Sequence, residues 1–98
     1  MQLAMLGLGK MGGNMVQRLL RGGHAVYAYD VDPKRASDLL QYGAIAATTI
    51  DEIVNAMPPP RVFWAMVPAG RITEELIHTL AARLSRGDVI IEIGRAHV

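Results

Sequence analysis

Leu3-Ala4-Met5-Leu6-Gly7-Leu8-Gly9-Lys10-Met11-Gly12 decides the fold, because a short apolar run passes through three spaced glycines into a segment with helical periodicity. The glycine spacing alone is weak, since glycine is common and G-x-G-x-x-G arises by chance. Its context is specific. Residues 3–6 read as a buried strand, and Met11, Met15, Val16, Leu19 and Leu20 then recur at helical spacing until Gly22-Gly23. Asp30 closes the next apolar run roughly 20 residues on, the arrangement of a dinucleotide-binding βαβ unit. Each glycine is expected to do something different. Gly7 permits the tight turn, Gly9 lets backbone approach a pyrophosphate with no Cβ between, and Gly12 allows the helix to pack closely on the strand. The helix N-terminus then offers unpaired N–H groups to the anion. Lys10 reads equally well as a solvated cation or a weak pyrophosphate contact.

Strands and helices alternate through the rest of the chain. Residues 25–29 form the second strand. Asp32-Pro33 is an N-cap followed by proline at the first helical position, with the helix running to about Tyr42 and stopped by Gly43. Residues 44–47 make a third strand, and Thr49 with Glu52 has capping-box spacing for a short helix that Pro58-Pro59-Pro60 ends. Residues 62–67 are the fourth strand. Ile72, Leu76, Ile77, Leu80, Ala81 and Leu84 share one helical face, and Arg86-Gly87-Asp88 turns into a fifth strand at 89–91. The alternation predicts an α/β fold, a Rossmann-type doubly wound parallel sheet. Right-handed crossovers give the strand order 3-2-1-4-5, with the switch point between strands one and four. The 7–12 turn and Val67-Pro68-Ala69-Gly70 should meet there, and Asp30 should lie on the adenosine side, where its carboxylate can accept from ribose hydroxyls.

Composition narrows the partners. The 98 residues make one domain or a piece of one, and 51% hydrophobic content suffices for a core. A net charge of +1 with 19% charged residues provides no basic field for nucleic acid or an anionic membrane. The partner is therefore sought in a pocket. The absence of cysteine leaves no disulfide framework or thiolate metal site, which fits a reducing compartment, the cytoplasm by default. Neither a signal peptide nor a membrane span is visible. His24, His78 and His97 lack metal-ligand spacing, so no metal is expected. The six methionines, Phe63 and Trp64 read as core, and Asp51-Glu52 as charge at a helix N-terminus.

Gly7-Leu8-Gly9-Lys10-Met11-Gly12-Gly13-Asn14-Met15 and Met66-Val67-Pro68-Ala69-Gly70 together resemble the N-terminal domain of decarboxylating 6-phosphogluconate dehydrogenases, especially the shorter bacterial NAD-preferring form. The resemblance runs from Met1 to about Ile91. It implies that Leu8, Lys10 and Met11 line the pyrophosphate turn and that Val67, Pro68 and Ala69 lie along the nicotinamide half; Thr73 fits the same pattern. Where NADP-using relatives carry Asn-Arg-Thr after the second strand, this chain has Asp30-Val31-Asp32, which argues for NAD, with NADP still possible. The family's catalytic lysine and glutamate come from beyond the region covered, so no catalytic residue is named. Further strands, an all-α C-terminal domain and dimerisation through that domain are implied in the same way. The alternatives are a β-hydroxyacid dehydrogenase such as 3-hydroxyisobutyrate dehydrogenase, and a nucleotide-binding module without catalysis. Residues 1–92 are expected to be the incomplete domain. Residues 93–98 depart from the family's Asp-Gly-Gly-Asn-Ser. With Glu92, they back-translate as GAG ATC GGA AGA GCA CAC GTC, which looks like read-through into a sequencing adapter, so they are expected to be a non-native tail.

Overall fold

The apolar run at the start becomes β1 (Gln2–Leu6), four of whose five residues are buried. The computed structural model describes residues 2–66, 71–92 and 95–97. After β1 come α1 (Lys10–Arg21), β2 (Ala25–Tyr29), α2 (Pro33–Asp38), a 3-10 turn (Leu40–Tyr42) and β3 (Ile45–Ala46). Then follow α3 (Ile50–Ala56), β4 (Val62–Ala65), α4 (Arg71–Ala81), β5 (Val89–Glu92) and β6 (Arg95–His97). The sheet order is β3-β2-β1-β4-β5-β6, so the expected 3-2-1-4-5 arrangement is present and one strand extends it. The first five strands are parallel, with Met5 of β1 opposite both Ala28 of β2 and Trp64 of β4. β6 runs antiparallel to β5, with Ala96 opposite Ile91.

Alternation along β1 divides the core. Leu3 and Met5 pack with Val16 of α1 and Ala36 and Leu39 of the α2 region, whereas Ala4 and Leu6 pack with Ile53 of α3 and Leu80 of α4. Successive strand side chains point to opposite faces, so a strand covered on both sides reads as a continuous apolar run. The α1–α2 pair therefore covers one face and the α3–α4 pair the other, as right-handed crossovers in opposite directions require. Truncating a fully buried residue such as Leu6 to alanine would cost about 2–5 kcal/mol.

Several local expectations are modified. Asp32 caps α2 by accepting from Lys34 N–H at 3.1 Å, but the helix ends at Asp38 rather than near Tyr42. The Leu39 N–H turns back to Ala36 C=O at 3.1 Å, which tightens the chain and buries Leu39; Gly43 then takes the left-handed conformation with φ +99°. At α3 the Thr49 hydroxyl accepts from Glu52 N–H, but the Glu52 carboxylate reaches Thr48, not Thr49. Those bonds from the Thr48 hydroxyl and N–H hold the Glu52 carboxyl below its usual value. Phe63 is fully buried and Trp64 half-buried, whereas Met11, expected on the core face, is 65% exposed. A first-turn side chain leans toward the helix N-terminus, here past the end of the sheet.

At the amino ends of β4 and β5 lies a buried polar clamp. The Asp88 carboxylate accepts from Arg61 N–H at 2.5 Å, from its guanidinium at 3.0 Å and from Ser85 N–H at 2.9 Å. The same guanidinium donates to the Met57 and Val54 carbonyls at the end of α3. Burial pushes the Asp88 carboxyl up, but the N–H groups of Ser85 and Arg61 and the adjacent guanidinium outweigh it, leaving it below its usual value.

Candidate functional site

The carboxyl ends of the strands are built around the glycine turn. β1 leaves the sheet at Gly7, whose N–H donates to Tyr29 C=O at 2.9 Å and whose φ of +95° favours glycine. Gly12 is required by close approach: a Cβ there would stand 2.1 Å from the Gly7 carbonyl oxygen and 3.5 Å from Met66 Cβ. Gly9 is different. It caps α1 with φ −63° and ψ −173°, and a Cβ on it would meet nothing within 4 Å. The chain's own packing does not explain that glycine; a ligand pressed against the backbone would.

The start of α1 is prepared for an anion. It has no side-chain cap and no acidic residue in its first turn, and the first intrahelical bond across the cap runs from Gly13 N–H to Gly9 C=O at 2.8 Å. The N–H groups of Lys10, Met11 and Gly12 precede that bond and carry the positive end of the helix dipole. These residues fit a pyrophosphate by donor chemistry and by space. Beside them, Met66 N–H donates to Leu6 C=O at 2.7 Å, which holds the chain leaving β4 against the end of β1. Val67, Pro68 and Ala69 lie outside the described residues, and of Thr73 only the backbone is described.

Asp30 ends β2 against this turn. Its Oδ2 accepts from Leu8 N–H at 2.7 Å and its Oδ1 from Asp32 N–H at 2.9 Å, so both oxygens already have backbone partners. Each retains a further lone pair for a hydroxyl. Arg35 lies 3.8 Å from Oδ2, with its side chain 55% exposed, and Val31 is 76% exposed. On the α1–α2 side of the turn a groove of about 420 Å³ is lined by Lys10, Asn14, Gln17, Arg35, Asp38 and Tyr42 among others. No residue of β4 lines it, so it adjoins the turn without being the switch-point crevice. Sequence reading missed the Leu8 and Arg35 contacts to Asp30. The Asp30-to-Asp32 spacing is a local signal for the second backbone bond, because aspartate commonly accepts from the N–H two residues on.

A parallel sheet with its switch point between β1 and β4, a glycine turn with space held open and an uncapped helix N-terminus define a Rossmann-type dinucleotide-binding domain. Residues 2–98 match the family model described as the NAD binding domain of 6-phosphogluconate dehydrogenase. The chain belongs to that family of NAD(P)-binding dehydrogenase domains. A Bacillus subtilis protein provisionally named a 6-phosphogluconate dehydrogenase is 38% identical over 99% of this chain and 32% of its own length. The NAD(+)-dependent decarboxylating 6-phosphogluconate dehydrogenase of Haloferax volcanii is 33% identical, again over 99% of this chain and 32% of its own. Among solved structures, Mycobacterium tuberculosis 3-hydroxyisobutyrate dehydrogenase superposes with a TM-score of 0.81 at 27% identity, covering 93% of this chain and 30% of that one. The chain thus spans about a third of the length of the curated relatives it matches. Among the described residues no helix is long and apolar enough to cross a membrane.

Proposed function

We propose that this chain is the cofactor half of an NAD-preferring 6-phosphogluconate dehydrogenase, and that the complete enzyme oxidises and decarboxylates 6-phosphogluconate to ribulose 5-phosphate and CO2. The observation that carries the cofactor reading is Gly9, a glycine that the protein's own conformation and packing do not require, at the mouth of an uncapped helix. NAD supplies the hydride acceptor when bound. Gly7 and Gly12 shape the turn, Gly9 leaves room for the pyrophosphate, and the N–H groups of Lys10, Met11 and Gly12 donate to it. Leu8 fixes the approach of the turn to β2, and Val67, Pro68 and Ala69 border the nicotinamide half. The Asp30 carboxylate accepts from the adenosine ribose through its remaining lone pairs.

NAD is favoured because a 2′-phosphate beside Asp30 sets like charges together, roughly 4 kcal/mol at about 4 Å and an effective dielectric near 20. Arg35 and Lys34 offset part of that, giving a preference of about tenfold to a hundredfold, or about 1.4–2.8 kcal/mol. The name of the Haloferax relative agrees with this cofactor. The likeness to 3-hydroxyisobutyrate dehydrogenase favours a second reading in which the substrate is another β-hydroxyacid. In either reading the base and acid and a homodimer interface come from a downstream helical domain, as do the substrate phosphate contacts in the first, the enzyme is cytoplasmic, and residues 93–98 are a non-native tail. Calorimetric titration with NAD and NADP tests the cofactor reading. NAD should bind more tightly and Gly9→Val should bind neither; equal affinity of wild type and Gly9→Val for NAD would overturn it. The genomic sequence beyond the Glu92 codon tests the rest, since continuation into a helical substrate domain is expected and an in-frame native stop after Val98 would refute it.

A further inference from the structure

The Asp30 side chain is only 6% exposed. Reading a ribose does not require such burial, and a carboxylate withdrawn from water is costly unless the protein itself supplies hydrogen bonds. Here it does. The bonds from Leu8 N–H at 2.7 Å and Asp32 N–H at 2.9 Å are charge-assisted, the stronger kind, and both come from backbone. Their placement matters more than their number. Gly7 N–H to Tyr29 C=O is the last main-chain bond between the turn and β2, and Gly13 N–H to Gly9 C=O is the first bond within α1. Leu8 lies between these two anchors. There the chain has already turned away at Gly7, and the Asp30 side chain takes over where the β2 backbone no longer reaches.

We infer that Asp30 is a positioning residue for the pyrophosphate turn: by fixing Leu8 N–H it aims the free N–H groups at the start of α1 toward the anion, whether or not a ribose hydroxyl is present. The inference rests on the dinucleotide reading above and deepens it. A carboxylate beside a pyrophosphate is electrostatically unfavourable, so its value here is geometric, with Arg35 at 3.8 Å moderating the charge. Asparagine cannot replace it. Its amide has one acceptor oxygen and a donor NH2, so either Leu8 or Asp32 N–H would face another donor.

The test compares wild type and Asp30→Asn with two ligands, NAD and an NAD whose adenosine ribose lacks both hydroxyls. Both affinities should fall by about tenfold or more, equivalent to about 1.4 kcal/mol. Unchanged affinity for the dideoxy ligand in the variant would overturn the inference, because the carboxylate would then act only on the ribose. Amide hydrogen exchange in ligand-free wild type gives a second readout that needs neither variant nor cofactor. Leu8 should exchange slowly and Lys10 and Met11 quickly; Leu8 exchanging as fast as Lys10 would also overturn the inference. If NAD does not bind wild type while Leu8 is protected, the dinucleotide reading fails and the brace stands.

Discussion

Asp30 and Asp88 sit at opposite ends of one sheet, and each accepts from two backbone N–H groups. Asp88 precedes β5 and is closed in: Arg61 meets it at 3.0 Å, and that guanidinium is itself consumed by the Val54 and Met57 carbonyls. Asp30 follows β2 and, though also withdrawn from water, is not closed in by its cation. Its cation stands off at 3.8 Å and is half in water, and the next residue, Val31, is exposed. The same chemical device serves stability at the closed end and, under the proposed function, ligand binding at the other. In a parallel sheet that division follows strand polarity, because the βα loops gather at the carboxyl ends.

The comparison breaks most sharply at the closed end. Asp88→Ala leaves a buried guanidinium unpaired and should cost about 3–5 kcal/mol in urea unfolding, a large share of a small domain's stability. Its pH dependence has a definite sign. The folded Asp88 carboxyl lies below its ordinary 3.8, so its contribution is present above that pH and lost as the pH falls through the folded value. Wild type should lose stability in acid and Asp88→Ala should lose less; parallel acid limbs would show that the clamp is not the titrating element.

Two glycines sharpen the open end. Gly12→Ala drives a methyl into the Gly7 carbonyl and should cost about 1–3 kcal/mol as overpacking does, with cofactor binding lost alongside. Gly9→Ala meets nothing and should stay within about 1 kcal/mol of wild type while NAD affinity drops. Equal destabilisation by the two substitutions would deny that Gly9 is reserved for a ligand. Val31→Arg should cut the preference for NAD over NADP by about tenfold, about 1.4 kcal/mol, with little effect on the melt. The smallest effect belongs to the exposed Asp51–Arg83 ion pair between the α3 and α4 regions, where Asp51→Ala should cost under about 1 kcal/mol.

Much of the framework was legible because it rests on side-chain periodicity and glycine spacing. Leu3 to Leu6 could be read as a doubly covered strand, and the crossovers then fixed the order around β1. The turn read at Gly7 and the tight packing read at Gly12 agree with a positive φ and a close approach, while a Cβ at Gly9 would meet nothing within 4 Å. Other features left no such trace. Leu8 acts on Asp30 through its N–H, a group nearly every residue has, so its identity does not betray the contact. Arg61 and Asp88 are 27 residues apart and meet only after α4 has brought β5 beside β4. Met11 fitted the helical repeat, yet the repeat does not tell where along a helix the sheet stops supporting it. The position of Arg35 near the Asp30 carboxylate depends on the α2 geometry, which its place in the sequence does not reveal.

The register of β1 also separates a local pairing from a distant one. Leu6 lies opposite Tyr29 across a short βαβ connection, but opposite Ala65 only after the chain has crossed beneath the sheet through β3 and α3. Loop-closure entropy therefore penalises the first pairing less than the second. The glycine turn and Asp30 lie on the more local pairing, and β4 closes the larger loop. The corner at Gly7 and Asp30 thus costs less chain entropy to close than the docking of β4 beside β1.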